Sequence, residues 1–239
     1  MSARFEGSIV LVAGGTGGLG RAVSSAFLEE GAHVVASYRN QPEWESFKNA
    51  MSSHASRLQG YQVEVTDEAA VNQLVENILL QHGRLDAMVN TVGGYAGGLK
   101  LWEMDTKVFE QMLSMNLRSG YLLSRAAVRT MLKQGRGAIV NVASKAAFDH
   151  ASGAAAYAAS KAASVALMDC LAADVRGTGV RVNTVLPSII DTEANRKAMP
   201  KADFSKWPKP GDIARVILFL CSDQARVIHG AAIPVYGDS

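Results

Sequence analysis

The sequence predicts a single-domain α/β fold in which a doubly wound parallel sheet is covered by helices on both faces. Two observations carry this. Short apolar runs such as IVLVA (9–13), HVVAS (33–37), LDAMVN (85–90), AIVNVA (138–143) and VRVNTVL (180–186) alternate with longer segments of helical spacing. Strands that are apolar nearly throughout belong to parallel sheets buried on both sides. In addition, 239 residues at 48% hydrophobic content fit one substantial core, and no linker, repeat or shift in composition divides residues 1–239.

Taken in order, the run at 9–13 leads into GGTGGLG and then into a segment with apolar positions at Ala22, Ala26 and Phe27. This is strand, glycine turn, helix. Gly14, Gly18 and Gly20 let the backbone turn tightly and approach a pyrophosphate, while the helix start offers unpaired amides and the positive end of its dipole. The spacing is G-x-x-x-G-x-G rather than G-x-G-x-x-G, and in this setting it marks a dinucleotide site of Rossmann type. Gly31 closes the helix, and the second strand, 33–37, ends at Ser37, Tyr38, Arg39 and Asn40. An acidic residue at that point suits the 2′-hydroxyl of NAD, whereas an arginine accommodates the 2′-phosphate of NADP. Arg39 therefore points to NADP(H), with NAD(H) as the alternative; the plain reading of Arg39 is a solvated loop charge.

Residues 42–58 are polar with helical potential, YQVEV (61–65) reads as a strand, and TDEAAVNQLVENILLQHG as a helix capped by Thr66 or Asp67. The strand at 85–90 runs into TVGGYAGG, a loop expected to border the cofactor, where Tyr95 is either a substrate contact or an exposed loop aromatic. A helical segment over 106–134 carries Asn116 among Met112, Met115, Leu117 and Leu122. Asparagine is a mediocre helix former and costly to bury unpaired, so it should bond backbone or water. From the residues alone its role reads as structural.

The stretch SKAAFDHASGAAAYAASK (144–161) is the candidate catalytic centre. Tyr157 and Lys161, four apart in an alanine-rich helix, leave the same face and reach a common point. Ser144 follows a strand and so sits at its carboxyl end, where open α/β sheets place ligands. A phenol needs nearby positive charge to work as an acid or base near neutrality, and Lys161 is expected to lower the Tyr157 pKa while Ser144 polarises a carbonyl oxygen. The plain reading is an ordinary helical pair and a loop serine; the glycine turn weighs against it.

After the strand at 180–186 comes PSIIDTEANRKAMPKADFSKWPKPG, whose four prolines exclude one continuous helix and suggest a cover that is more mobile than the sheet and closes over the site. Residues 211–222 form an amphipathic helix, and 231–235 a last strand that Pro234 places at an edge or a strand end. The formal charge of +2 argues against a nucleic-acid partner. No membrane span or signal-peptide pattern is read, and Cys170 and Cys221, both in apolar helical settings, are expected to be buried and unpaired. A reducing cytoplasm fits.

These residues resemble the short-chain dehydrogenase/reductase family over essentially the whole length. AGGTGGLG stands for its T-G-x-x-x-G-x-G, with Ala13 in place of the usual threonine, and NTVG (90–93) for its N-N-A-G loop; Asn116, Ser144, Tyr157 and Lys161 fall on its catalytic tetrad. The resemblance implies that Tyr157 is the acid-base, that Ser144 holds the substrate oxygen, that Lys161 binds the nicotinamide ribose and that Asn116 holds a water in a proton relay. It implies cofactor contacts from Gly14, Thr16, Gly17, Gly18, Leu19 and Gly20, then from Tyr38, Arg39 and Asn40. Glu64 and Val65, followed by Asn90, Val92 and Gly93, would continue the site. Ile190 and Thr192 match its last contacts, after Pro187 and Ser188 where the family has P-G. Within the family, VGGYAGG and LPSIIDTEANRKAMPKADFSKW are similar to dihydropteridine reductases, which generally lack the serine and asparagine and carry an aspartate where this chain has Arg39. The implied activity is NADPH-dependent reduction of a 3-oxoacyl thioester or other small ketone, with quinonoid dihydropterin reduction as the alternative and a non-catalytic dinucleotide sensor as a further reading. A homo-oligomer, tetramer or dimer, is implied as well.

Overall fold

The computed structural model describes residues 4–239. Its strands are β1 (Ile9–Ala13), β2 (His33–Tyr38), β3 (Leu58–Gln62), β4 (Ala87–Asn90), β5 (Gly137–Val142), β6 (Val180–Pro187) and β7 (Ala232–Val235). They form one sheet in the order β3-β2-β1-β4-β5-β6-β7, every pair parallel. Strand β1 shows why these runs are apolar without interruption. Ile9, Leu11 and Ala13 face one core, and Val10 and Val12 face the other. The first core is closed by α3 (Glu68–His82), α5 (Ser119–Gln134) and α6 (Ala155–Asp174), through Leu74, Ile78, Leu123, Met131 and Met168. The second is closed by α1 (Gly18–Glu29) and α8 (Pro210–Cys221), through Val23, Phe27, Ile213, Ile217 and Leu220.

The chain winds outward from β1 to β3, then returns to place β4 on the other side of β1. Loops leaving the two strands diverge at that reversal and open a crevice at the carboxyl edge. The seam is tight below it: the Thr91 amide and hydroxyl both donate to the Ala13 carbonyl, at 3.0 and 2.7 Å.

Three expectations are corrected, for the third strand, the helix at 106–134 and Cys170. The third strand is 58–62 rather than 61–65, because it pairs with β2 alone and β2 ends opposite Gln62; Val63 donates one more bond to the Tyr38 carbonyl, and the chain then has no partner. The expected helix at 106–134 is α4 (Thr106–Leu113) and α5 joined by a π-helical turn at Ser114–Arg118. As the prolines require, the cover is not one helix: it carries the short α7 (Glu193–Ala198) and is anchored by buried Trp207. Cys170 is exposed while Cys221 is buried, its thiol pushed up to about 12 by desolvation. Asp67, rather than Thr66, caps α3, accepting from the Ala70 amide at 2.9 Å. Strand β7 is an edge, as Pro234 requires.

Phe27 is fully buried and meets Phe5 edge-on at 4.9 Å. Phe27→Ala is expected to lower stability by about 3–5 kcal/mol in urea unfolding. A loss below about 1 kcal/mol would contradict a closely packed core on this side of the sheet.

Candidate active site

The glycine turn is shaped by close approaches that side chains would block. Gly14 has φ +73°, a left-handed conformation, and faces Thr91 and Val92. A Cβ on Gly20 would overlap the Gly14 carbonyl, and one on Gly18 would lie 2.8 Å from the Thr192 methyl. Gly17 begins α1 with no side-chain cap, so the first amides of a 12-residue helix open outward at an exposed surface. Bare backbone donors at a helix start form a cradle for a pyrophosphate. These residues fit a dinucleotide. Thr16 is buried beside them, and the Leu19 side chain belongs to the core, leaving its backbone on the turn.

At the end of β2, Arg39 is exposed and its guanidinium makes no hydrogen bond or ion pair among the described residues. The Tyr38 ring turns away, stacked on Trp44 at 5.1 Å with its hydroxyl donating to Gln41 Oε1. Its side chain is thus spent on a satellite core, leaving its backbone at the end of β2. Asn40 caps α2 (Gln41–Ala50) by accepting from the Glu43 amide. The Glu64 carboxylate accepts from the Thr66 hydroxyl and amide, which hold its pKa below the usual range, and the Val65 side chain is buried. Sequence reading missed Arg21 and Glu43, which come from two different helices: Arg21 donates to the Thr16 and Glu43 carbonyls, and the Glu43 carboxylate accepts from the Thr16 hydroxyl at 3.4 Å. A carboxylate therefore does border this end of the crevice.

Across the crevice, Asn90 is buried. Its amide donates to Asn141 Oδ1 at 2.9 Å and its oxygen accepts from the Val92 amide at 3.1 Å. Asn116 holds the same loop further along, accepting from the Gly94 amide at 2.9 Å and donating to the Gly94 carbonyl at 3.1 Å. It also donates to Ser160 Oγ at 3.0 Å, and Ser160 in turn donates to the Tyr157 carbonyl. Ser160 was another residue passed over, although it stands directly before Lys161. A Cβ on Gly93 would lie 3.0 Å from both Asn116 Oδ1 and Lys161 Nζ, so the loop passes between them with nothing to spare.

Ser144 begins a short 3₁₀ turn after β5, accepting from the Ala146 amide at 3.2 Å. Tyr157 and Lys161 leave the same face of α6, the ammonium 5.9 Å from the phenol ring centre. Lys161 is 4% exposed, donates to the Val142 carbonyl at 3.1 Å, and has no carboxylate partner among the described residues. Desolvation brings its pKa down to about 8. Burial raises the Tyr157 pKa, against the pull of the Ser144 hydroxyl and with a smaller push from Tyr95. The expected lowering by Lys161 is corrected here: the ammonium is turned toward a backbone carbonyl, and desolvation of the phenol sets the direction.

Pro187 ends β6, and Ser188 donates to the Tyr236 carbonyl at 2.5 Å. Thr192 caps α7 and touches Gly18, so the cover meets the glycine turn; the Ile190 side chain packs on the core below. Among the described residues, no group of three His, Cys, Asp or Glu is placed to hold a metal, and no helix is long and apolar enough to cross a membrane.

Comparison with known proteins places these features in context. A family model described as short chain dehydrogenase matches residues 8–203. Among curated proteins, the chain is 30% identical to the 3-oxoacyl-[acyl-carrier-protein] reductase FabG of Thermotoga maritima, covering 98% of each. It is 33% identical to D-threitol dehydrogenase of Mycolicibacterium smegmatis, covering 98% of this chain and 93% of the other. Among solved structures it matches ElxO with NADP bound at a TM-score of 0.91 and 29% identity, over 96% of this chain and 97% of that one.

The buried, uncompensated ammonium has a measurable consequence. Its folded pKa lies below its unfolded value, so the unfolded state binds more protons between pH 8 and 10.5 and stability rises with pH there. Below pH 8 the full penalty applies, roughly 3 kcal/mol. Lys161→Met, which keeps the length and removes the charge, is expected to be about 2 kcal/mol more stable than wild type at pH 7 in urea unfolding, after the lost hydrogen bond is subtracted. The gap is expected to shrink toward pH 10.5. A variant less stable than wild type at pH 7 would show that the ammonium is not desolvated as described.

Proposed function

The chain belongs to the short-chain dehydrogenase family, and from that premise we propose that it is an NADPH-dependent oxidoreductase that reduces the carbonyl group of a small molecule. The observation that carries this reading is that Asn116 and Lys161 meet at Gly93 while Lys161 faces Tyr157 and Tyr157 meets Ser144, beside an open glycine turn at the carboxyl edge of the sheet. The cofactor supplies the hydride when bound. Gly14, Gly17, Gly18 and Gly20 would cradle its pyrophosphate, Thr192 would cover it, and Asn90, Val92 and Gly93 would border its nicotinamide end.

Tyr157 delivers a proton to the substrate oxygen. The phenol holds its proton through neutral pH, the form reduction requires, and its transfer is eased to the extent that a bound substrate and cofactor offset the desolvation that raises its pKa. Ser144 donates a hydrogen bond to the same oxygen, and Lys161 stabilises the phenolate left behind. Asn116 fixes the loop at Gly94 and so sets the floor on which the reacting atoms lie. Its hold on both polar groups of Gly94 and on Ser160 supports a positioning role; a water in a proton relay would be an addition to that. Among relatives, the reductase name supports a 3-oxoacyl thioester and the D-threitol dehydrogenase name a polyol, so both belong in a substrate panel.

Arg39, unspent at the end of β2, supports NADP(H), and a solved relative of similar fold carries NADP. The Glu43 carboxylate beside Thr16 is what keeps NAD(H) as the second reading. Exposed Phe109 and Tyr121, on α4 and α5, support assembly into a homo-oligomer, and the unpaired cysteines support a reducing compartment such as the cytoplasm.

Tyr157→Phe is expected to cut kcat by about 10²- to 10⁴-fold in NADPH oxidation over a carbonyl panel, with the Kd for NADPH nearly unchanged. Wild-type turnover in this variant would sink the acid-base assignment. For the cofactor, wild type is expected to bind NADPH more tightly than NADH, through charge-assisted bonds to the 2′-phosphate. Arg39→Asp is expected to reverse that order. Titrations in which the ratio of the two affinities stays put would make Arg39 a solvated charge.

A further inference from the structure

The loop after β4 crosses the mouth of the crevice and is tied to the loop before α6. The Gly98 amide donates to the Gly153 carbonyl at 2.9 Å, and Lys100 Nζ donates to Ser152 Oγ at 2.7 Å. Tyr95 lies on the inner side of this junction. Its ring meets Tyr157 at 5.0 Å between centres with planes 75° apart, yet Tyr95 remains 67% exposed. One edge-to-face contact is therefore made with the proton donor, and most of the second ring is left open beside the position where a substrate carbonyl must sit.

The place for Tyr95 is built by glycines. A Cβ on Gly97 would overlap the Tyr95 hydroxyl and lie 3.0 Å from the Gly153 carbonyl. Gly98 and Gly153 have φ of +98° and +80°, and a Cβ on Gly153 would lie 3.4 Å from Gly98. The two loops thus close on one another in a way that leaves room for one aromatic ring across the Gly97 backbone. The same loops expose Leu99, Leu101, Trp102 and Phe148. Their two lysines are already engaged, Lys100 with Ser152 and Lys145 with Asp149 at 3.5 Å. The rim is apolar and aromatic apart from Lys100, whose ammonium is balanced by no carboxylate among the described residues.

Resting on the carbonyl-reductase reading, we infer that Tyr95 is the specificity-determining residue of this site, and that the substrate carries its carbonyl on a flat ring that packs against Tyr95. Offset or edge-to-face packing on an aromatic face favours such a body over a short linear chain. Tyr95 acts by binding, and proton transfer stays with Tyr157.

The test compares isatin, a flat aryl dicarbonyl, with ethyl acetoacetate, a linear ketone, in NADPH oxidation by wild type, Tyr95→Ala, Tyr95→Phe and Gly97→Ala. Wild type is expected to show the higher kcat/KM on isatin. Tyr95→Ala is expected to lower that value about tenfold, through KM, and to leave ethyl acetoacetate within about twofold, the scale of one aromatic contact. Tyr95→Phe keeps the ring and should behave as wild type. Gly97→Ala keeps the tyrosine but displaces its ring, so it should reproduce the Tyr95→Ala pattern; Tyr95 is exposed in a loop, so these variants leave the core intact. Equal losses on both ketones, no loss on either, or faster isatin reduction in Tyr95→Ala would overturn the assignment. Turnover of ethyl acetoacetate alone would overturn it while leaving carbonyl reduction standing, whereas no turnover of either ketone by wild type would remove both.

Discussion

The side chain of Asn116 joins three separate parts of the chain through hydrogen bonds. Its amide is bonded to both polar groups of Gly94 on the loop after β4, and to Ser160 on α6, while its own backbone lies in the π-helical turn between α4 and α5. A π turn widens the helix and leaves its regular bonding disturbed, a conformation most often met at functional sites. Here the Ser119 hydroxyl compensates by donating to the Met115 carbonyl at 2.6 Å. The widened turn brings a short polar side chain up against a loop that has no side chain at Gly93 or Gly94. Loop, π turn and the helix carrying Tyr157 are thereby joined through hydrogen bonds between neutral groups.

Lys161 brings a charge into the buried part of the site, at a cost in desolvation. Lys161 is buried against the Val142 carbonyl with no counterion among the described residues, and the neighbouring phenol is desolvated in turn. Both groups are pushed toward their neutral forms. A site that stores this tension favours any ligand that supplies hydroxyl groups or developing negative charge between them, because such a ligand relieves the desolvation that folding imposed. The stability lost at Lys161 is affordable because the sheet is buried on both faces by two extensive cores.

Much of this was legible in the residues. The apolar runs of β1, β2, β4, β5 and β6 sit within a residue or two of where they were expected, since a strand covered on both faces must be apolar at every position. The glycine turn was legible for a related reason, as close backbone approach excludes side chains. Edge elements were not. In β3, LQGYQ is half-buried at most and YQVEV alternates better, yet pairing stops where β2 turns into α2. The π turn has no sequence period of its own, and an Asn among apolar residues is compatible with several roles.

Local chemistry, then, settled the order of the elements, the crevice edge and the candidate reactive groups, because spacing along one helix or one turn is enough to place Tyr157 beside Lys161 or Gly14 beside Gly20. Long-range packing settled how those groups are poised. The Tyr38 ring belongs to Trp44 rather than to the crevice, Glu43 arrives beside Thr16 from another helix, and Tyr95 rests on Tyr157 only because Gly98 and Gly153 bring two distant loops together. Desolvation, which reverses the expected direction of the phenol's pKa, depends on every neighbour that excludes water. Such neighbours come from across the fold, and no window of sequence contains them.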